Sequence, residues 1–165
     1  MIELALIVHN LRSTHNVGSL LRTADGLGLS SVYFTGYTPY PALADDTRLP
    51  HIAQKLTKQI HKTALGAEDT VTWKHYDDID QAFAELRQAG YAIAALEQAP
   101  NAIQLPAFEP PQKLALVVGR EVEGIEPEVL ALVDTIVEIP MVGKKESFNV
   151  AIAAAIALAH CRFRA

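Results

Sequence analysis

Leu114-Ala-Leu-Val-Val-Gly-Arg-Glu-Val-Glu-Gly124 joins an apolar run to a loop with a glycine at each end. A short apolar run of this kind predicts a buried strand, Leu114–Val118. The loop has the pattern G-x-E-x-x-G and so differs from the G-x-G-x-x-G of dinucleotide folds. Glycine lets the backbone approach a ligand closely, and it also suits a tight turn after a strand. Because ligands bind beyond the carboxyl ends of strands in open α/β sheets, this stretch predicts a candidate site as well as a strand.

Working outward, strands alternate with helices along the whole chain. The predicted strands are Leu4–Val8, Val32–Phe34, Val71–Trp73, Tyr91–Leu96, Leu114–Val118 and Thr135–Ile139. The predicted helices are Asn16–Gly28, Ile52–Leu65, Asp78–Ala89, Pro127–Val133 and Phe148–Arg162. This alternation predicts one α/β domain over 1–165, with a mostly parallel sheet and helices on both faces.

The last predicted helix is apolar nearly all round, so it must be covered on all sides. Two arrangements satisfy this requirement equally well. The helix lies at the centre of this chain, or part of its surface is covered by another subunit.

Composition excludes several classes of protein. The longest apolar run, Val150–Ala159, is too short to span a bilayer, and no secretion signal is evident at the N-terminus. A single cysteine, Cys161, cannot form an internal disulfide, which favours a reduced, cytoplasmic protein. The histidines show no H-E-x-x-H or C-x-x-C spacing, so no metal site is expected. Ser147, His160 and Asp134 do not suggest a serine hydrolase, since the G-x-S-x-G elbow is missing.

The net charge of −5 is unevenly distributed. The stretch 47–67 contains Arg48, Lys55, Lys58 and Lys62 and no acidic residue, whereas 68–109 is strongly acidic. Affinity for phosphate follows the local potential rather than the whole-molecule sum. The basic stretch therefore indicates either a nucleic-acid contact or a solvated helix face.

Two further segments follow predicted strands and are rich in polar residues. Asn10-Leu-Arg-Ser-Thr-His-Asn-Val-Gly-Ser-Leu-Leu-Arg22 places Asn16 at or near a helix N-terminus, where Arg12 and Arg22 would suit a phosphate. The alternative is a capped helix with two surface arginines. Ile139-Pro-Met-Val-Gly-Lys-Lys-Glu-Ser-Phe-Asn149 enters the apolar helix, which Ser147 or Asn149 could simply cap.

Taken together, the segments resemble the SpoU (TrmH) family of RNA ribose methyltransferases, of the SPOUT class. The matching stretches are Asn16-Val-Gly-Ser-Leu-Leu-Arg-Thr-Ala-Asp25, Val117-Val-Gly-Arg-Glu-Val-Glu-Gly-Ile125, Ile139-Pro-Met-Val-Gly143 and Glu146-Ser-Phe-Asn-Val150. Phe148 stands where leucine is common in relatives. The resemblance implies transfer of a methyl group from S-adenosylmethionine to a ribose 2′-hydroxyl of tRNA or rRNA.

The same resemblance implies a C-terminal trefoil knot and a homodimer packed partly through the last helix. Because the sequence begins directly at the first predicted strand, we expect no N-terminal RNA-binding extension of the kind that larger members have. The expected cofactor-binding residues are Leu96, Gly119, Ile139, Met141, Ser147 and Phe148. The expected catalytic residues are Arg22, Asn16, Glu121, Ser147 and Asn149. The expected RNA-binding residues are Arg12, Arg48, Lys55, Lys58 and Lys144.

Within that set, Arg22 is expected to bind the reacting nucleotide as a cation, because a guanidinium stays charged and has no proton acceptor. A substrate phosphate oxygen or Glu121 would take the proton. The competing interpretation is a non-catalytic RNA-binding module with a SPOUT-like fold. Such a module would keep the basic stretch but would not need all five of the polar residues expected to be catalytic.

Overall fold

The computed structural model describes residues 1–164 and contains, within them, one sheet of seven parallel strands. The strands are β1 (Glu3–His9), β2 (Ser31–Thr35), β3 (Trp73–Tyr76), β4 (Ala92–Leu96), β5 (Ile103–Gln104), β6 (Lys113–Val118) and β7 (Thr135–Glu138). Their order across the sheet is β3-β2-β1-β6-β4-β7-β5. The two central strands, β1 and β6, pair from Glu3 opposite Lys113 to Val8 opposite Val118.

The helices cover both faces of the sheet. They are α1 (Thr14–Leu27), α2 (Pro50–Ala64), α3 (Ala67–Thr70), α4 (Ile79–Gln88), α5 (Pro127–Leu130) and α6 (Val150–Phe163). Consecutive residues of β1 face opposite sides of the sheet, as the two-residue period of a strand requires. Leu4 and Leu6 pack in one core with α1, α2 and α6, while Ala5 and Ile7 pack in the other with α4. The predicted fold class, a parallel sheet with helices on both faces, is confirmed at this level.

Element boundaries differ from the sequence prediction where a cap decides them. Helix α1 begins at Thr14 because the Ser13 side chain accepts a hydrogen bond from the amide of Asn16. Helix α6 begins at Val150 rather than at Phe148, because Asn149 is its N-cap. The prediction also missed β5 and α3, which are only two and four residues long.

Helices α1 and α2 cross closely at Gly18. A Cβ atom at this position would lie 2.2 Å from Oγ1 of Thr63 and 2.3 Å from the carbonyl oxygen of Ile60. There is therefore no room for a side chain between the two helices at this point, and the glycine allows their close approach. The crossing fixes where the N-terminus of α1 lies at the carboxyl edge of the sheet.

Helix α6 is buried on one side only. Ala154, Ala157 and Leu158 are fully buried in the core, whereas Ile152 and Ile156 remain 53% and 37% exposed. The rest of this chain therefore covers only part of the apolar surface of α6. No helix within residues 1–164 is both long and apolar enough to cross a membrane.

Candidate active site at the carboxyl edge of the sheet

A cavity of about 300 Å³ opens beyond the carboxyl ends of β4, β6 and β7. The loops that follow these strands form its walls. All six residues predicted to bind the cofactor line it: Leu96, Gly119, Ile139, Met141, Ser147 and Phe148. The structure therefore brings together residues that lie up to 52 positions apart in the sequence.

The loop after β6 depends on its two glycines for its own shape. A Cβ atom at Gly119 would lie 2.9 Å from backbone atoms of both Gly124 and Ile125. Gly124 has a φ of +71°, in the left-handed region that glycine adopts without strain. An antiparallel bridge joins Arg120 to Gly124 and closes the loop. The two glycines thus allow the tight turn that the sequence suggested after this strand. The turn presents the backbone of 119–124 to the cavity.

Glu97, which follows β4, anchors this loop and was not predicted from the sequence. Its carboxylate accepts a hydrogen bond from the amide of Ile125 at 2.9 Å and another from the amide of Gln98 at 2.9 Å. Gln98 in turn donates to the carbonyl oxygen of Glu146 at 2.6 Å. The loop after β4 thus ties together the other two walls of the cavity.

Glu121 joins the cavity to the N-terminus of α1. Its carboxylate accepts hydrogen bonds from the amide of Ser13 at 3.1 Å, the amide of Arg12 at 3.4 Å and Nδ2 of Asn16 at 3.4 Å. Burial alone would raise the pKa of Glu121, but backbone hydrogen bonds and the contact with Asn16 outweigh it and lower the pKa. The carboxylate is therefore ionised at neutral pH.

This contact changes the interpretation of the α1 N-terminus. The sequence suggested a phosphate site there, because the free amides of a helix N-terminus attract anions. In the structure, the protein's own Glu121 carboxylate receives the amides of Arg12 and Ser13. A phosphate would have to displace that carboxylate to reach these amides, so the phosphate site at this helix start stays a prediction that rests on the side chains of Arg12 and Arg22.

The two asparagines predicted to be catalytic are joined directly. Nδ2 of Asn149 donates to Oδ1 of Asn16 at 3.2 Å, while Oδ1 of Asn149 caps α6 through the amides of Ala151 and Ile152. A continuous hydrogen-bonded chain thus runs from Asn149 through Asn16 to Glu121. It locks the N-termini of α1 and α6 to the loop after β6.

Ser147 and Arg22, also predicted to be catalytic, stand apart from this chain. Ser147 is exposed and lines the cavity. Arg22 is exposed on α1, six residues beyond Asn16, and its side chain takes part in no hydrogen bond or ion pair found within residues 1–164. Six residues correspond to roughly 9 Å along a helix axis. The cation is therefore available to a ligand that reaches the surface of α1.

The residues predicted to bind RNA differ in exposure. Arg12, Lys55, Lys58 and Lys144 are exposed. Arg48 is largely buried in its own loop, where it forms an ion pair with Asp46 at 2.5 Å and donates to the carbonyl oxygens of Tyr40 and Pro41 at 3.0 Å. Arg48 thus stabilises the loop between β2 and α2, and the structure separates it from the freely exposed cations.

A polar network at the end of β1 was also missed. Nδ1 of His9 lies 2.8 Å from Oγ1 of Thr35, and Nδ2 of Asn10 donates to Glu126 at 2.9 Å. Burial lowers the pKa of His9, although the neighbouring Glu126 opposes the shift. The sequence signal was present in the polar pair that directly follows the apolar run of β1. No cluster of three or more metal-ligating side chains occurs among the described residues.

Comparison with known proteins bears on this arrangement. The sequence model of the SpoU rRNA Methylase family matches residues 3–159. A tRNA (guanosine(18)-2′-O)-methyltransferase of Escherichia coli K12 is 29% identical over 156 residues, covering 94% of this chain and 61% of the relative. The chain thus spans about three fifths of that relative's length.

Two solved structures share the fold. An AdoMet-bound rRNA methyltransferase from Sinorhizobium meliloti aligns with a TM-score of 0.79 and 22% identity, covering 97% of this chain and 56% of that one. A structure solved in a study of 2′-hydroxyl methylation of C/U34 on tRNA aligns with a TM-score of 0.74 and 24% identity, covering 97% and 94%. The family match extends over nearly the whole chain, including all three segments that form the site. The chain therefore belongs to the SpoU rRNA methylase family.

Proposed function

We propose that this chain transfers a methyl group from S-adenosylmethionine to a ribose 2′-hydroxyl of tRNA or rRNA. The observation that carries the proposal is the junction of the 300 Å³ cavity with the Asn149–Asn16–Glu121 chain. A ligand cavity here directly adjoins a set of fixed polar groups. Membership of the SpoU family and the E. coli relative, named as a tRNA 2′-O-methyltransferase, support the same activity.

The cavity has the chemistry that S-adenosylmethionine needs. Apolar side chains of Leu96, Ile139 and Met141 offer a surface for an adenine ring, and the surrounding loop backbones offer donors and acceptors. Carboxylates of Glu97 and Glu121 on the same walls suit the positive sulfonium and ammonium groups. The residues present therefore fit this cofactor without a G-x-G-x-x-G turn.

When bound, S-adenosylmethionine would supply a methyl group already activated by its sulfonium. The chain must then position the ribose hydroxyl, and positioning alone can contribute on the order of 7–11 kcal/mol. We assign the nucleotide contact to Arg22, whose free cation can hold the phosphate and stabilise negative charge on the hydroxyl oxygen. Asn16 and Asn149 hold the α1 and α6 ends of the site together, and Ser147 on the cavity wall would help to orient the nucleotide.

The proton of the hydroxyl needs only a weak acceptor, because the oxygen becomes strongly acidic as it gains the methyl group. The ionised carboxylate of Glu121 meets this need, as does a phosphate oxygen of the RNA. The lowered pKa of Glu121 makes it a modest base, since effective general bases have pKa values near the working pH. Its amide contacts indicate that Glu121 also positions the start of α1.

The RNA would approach over the exposed cations Arg12, Lys55, Lys58 and Lys144. We leave Arg48 out of this surface because its guanidinium is engaged by Asp46 and by loop carbonyls. A non-catalytic RNA-binding module would use the same cations. It would not require a cavity joined to the Asn149–Asn16–Glu121 chain, which favours the enzyme.

The first prediction concerns the cofactor. Isothermal titration calorimetry of the wild-type protein with S-adenosylmethionine is expected to give one saturable site per chain. Incubation with methyl-labelled cofactor and unmodified tRNA or rRNA is expected to place the label on ribose 2′-oxygens. Binding without any transfer would favour the non-catalytic alternative, and absence of cofactor binding would contradict the proposal altogether.

The finer features of the family are proposed on the same basis. We propose that residues 1–165 form one methyltransferase domain, that its C-terminal segment threads a trefoil knot and that it works in the cytoplasm, where its RNA is. The segment concerned runs from the loop after β6 through α6. Membership of the SpoU family is what supports the knot.

The second prediction concerns assembly. We propose that a second copy covers the exposed side of α6 to form a two-fold dimer. Ile152→Asp with Ile156→Asp should dissociate it, because an unpaired charge buried in an apolar interface costs several kcal/mol. Sedimentation velocity should give about twice 17.9 kDa for the wild type and 17.9 kDa for the double variant.

The matched control is Leu65→Asp, which charges another apolar residue that is 61% exposed, at the end of α2. This variant should remain dimeric. A monomeric wild-type protein at micromolar concentration would contradict the proposed dimer, as would a double variant that stays dimeric.

A further inference from the structure

A second cavity, of about 460 Å³, lies beyond the carboxyl ends of β2 and β3. Its walls come from the loop between β1 and α1, from the loop after β2, from α2 and from the end of β3. The lining residues include Arg12, Tyr37, Leu56 and His75. The volume lies within the range of roughly 300–1,000 Å³ typical of ligand sites. The methyl-transfer site described above does not use this cavity.

Tyr37 presents an unusual free aromatic surface in this cavity. The residue is 52% exposed, although large aromatic side chains are mostly buried. Its backbone is held in place, because its amide donates to Oδ1 of Asn10 at 3.2 Å. The Arg12 guanidinium lies 6.0 Å from the centre of the Tyr37 ring and is itself 73% exposed. A planar cation and an open ring therefore face the same space.

Tyr40, three residues after Tyr37, is an aromatic ring with a structural role in the same cavity wall. The imidazole of His75 stacks on it at a centroid distance of 3.9 Å, and the Arg48 guanidinium lies 3.6 Å from its centre. Tyr40 already has its stacking partners within the chain. Tyr37 has only the distant contact with Arg12, so its ring remains available.

Arg12 links this cavity to the proposed active site. Its backbone amide donates to Glu121, which lines the first cavity, while its side chain lines the second. Leu56 brings α2 to the wall of the second cavity, and the same helix carries the exposed lysines Lys55 and Lys58. A polyanion bound to these lysines would therefore lie on a helix that borders the second cavity.

We infer that the second cavity holds an unpaired nucleotide of the substrate RNA next to the methylated one, with its base stacked on Tyr37 and its phosphate at Arg12. The inference rests on the proposed function and adds a specificity subsite to it. Every base has a face that can stack on an aromatic ring, whereas phosphate needs a cation. Arg12 is the exposed cation nearest the Tyr37 ring, and its guanidinium has one weak ion pair, with Glu123 at 4.0 Å, which a phosphate would replace.

A continuous RNA fits these features better than a free nucleotide. Two of the cations on its path, Lys55 and Lys58, lie on α2 and not on the cavity wall. A mononucleotide carries a single phosphate group, whereas an RNA strand carries one per nucleotide and can contact Arg12 and these lysines together.

The test uses a fluorescein-labelled single-stranded 12-nucleotide RNA that contains 5-iodouridine, with Tyr37→Ala, Tyr37→Phe and Leu43→Ala proteins. Ultraviolet irradiation should cross-link the wild-type protein to the probe at Tyr37, located by mass spectrometry in the peptide Thr23–Arg48. Fluorescence anisotropy should show about tenfold or greater loss of affinity for Tyr37→Ala. Tyr37→Phe retains a ring and should bind nearly as well as the wild type.

Leu43→Ala is the matched control, since Leu43 is exposed in the same loop and does not line the cavity. Its affinity for the probe should be unchanged. With unmodified bulk tRNA and rRNA as substrate, Tyr37→Ala should raise KM with kcat largely retained. Calorimetry with S-adenosylmethionine should give the wild-type affinity for all three variants.

Several outcomes would overturn the inference. They are the absence of a cross-link at Tyr37 in the wild type, unchanged probe affinity in Tyr37→Ala, and binding of guanosine 5′-monophosphate as tight as that of the 12-nucleotide RNA. If these occur while the protein binds S-adenosylmethionine and methylates RNA, only the subsite is wrong. If cofactor binding itself fails in the wild type, the proposed function is wrong.

Discussion

Replacing Arg22 by alanine is expected to slow methyl transfer by about 10²–10³-fold, the usual loss when one charge-stabilising group is removed. The side chain is exposed and takes part in no hydrogen bond or ion pair within residues 1–164, so the fold does not depend on it. The melting temperature and the affinity for S-adenosylmethionine should therefore stay at their wild-type values. Single-turnover assays at saturating cofactor and RNA measure the chemical step directly.

Arg22→Lys keeps the charge but loses the planar fork of donors, so it should restore only part of the rate. The control is Arg87→Ala on α4, which removes an arginine from the opposite face of the sheet. That variant should turn over normally. A folded Arg22→Ala protein with wild-type turnover would remove Arg22 from the mechanism, and a variant that melts early would assign it a structural role.

The second large effect is expected for Gly119→Val. Even a Cβ atom here would lie 2.6 Å from Cγ1 of Ile125 and 2.9 Å from backbone atoms of Gly124 and Ile125. Backbone cannot move aside as a flexible side chain can, so the loop after β6 must shift. Overpacking of this kind costs about 1–3 kcal/mol of stability. The wall of the first cavity moves with the loop, and the Kd for S-adenosylmethionine should rise about tenfold or more, since ~1.4 kcal/mol corresponds to a factor of ten.

Gly143→Val provides the matched control in another wall-forming segment. A Cβ atom at Gly143 meets nothing within 4 Å, so valine should be accepted there with little change in melting temperature or cofactor affinity. Calorimetry and thermal melts on both variants make the comparison. A folded Gly119→Val protein with wild-type cofactor affinity would show that the cofactor binds elsewhere.

Periodicity in the sequence predicted the elements that have strong apolar patterns. The apolar runs of β1 and β6 are continuous, and both strands lie at the centre of the sheet as a buried parallel strand should. Strand β5 was not predicted because two residues are too few to show a periodic pattern, and both, Ile103 and Gln104, are exposed. Strand β3 was placed at 71–73 instead of Trp73–Tyr76, since its side chains are only partly buried and alternate weakly.

The composition of the site was predictable from motif resemblance, but its internal contacts were not. All six predicted cofactor residues line one cavity because the loops carrying them follow neighbouring parallel strands. The sequence gives no local signal that Glu121 would accept the amides of Arg12 and Ser13, more than 100 positions away. The contacts of Glu97 and Arg48 depend likewise on long-range or loop geometry. Glu97 therefore drew no prediction, and Arg48 was predicted to bind RNA although its guanidinium is engaged within its own loop.

The edges of the sheet are short. Strand β3 has four residues and β5 only two, so each edge exposes few unpaired amide and carbonyl groups. Long open edges allow strands of separate molecules to join into growing sheets, and short ones suppress that route to aggregation. Copies of this chain therefore have little opportunity to polymerise strand upon strand. The dimer that we propose through α6 would instead use a bounded surface, on which association stops once two molecules have met.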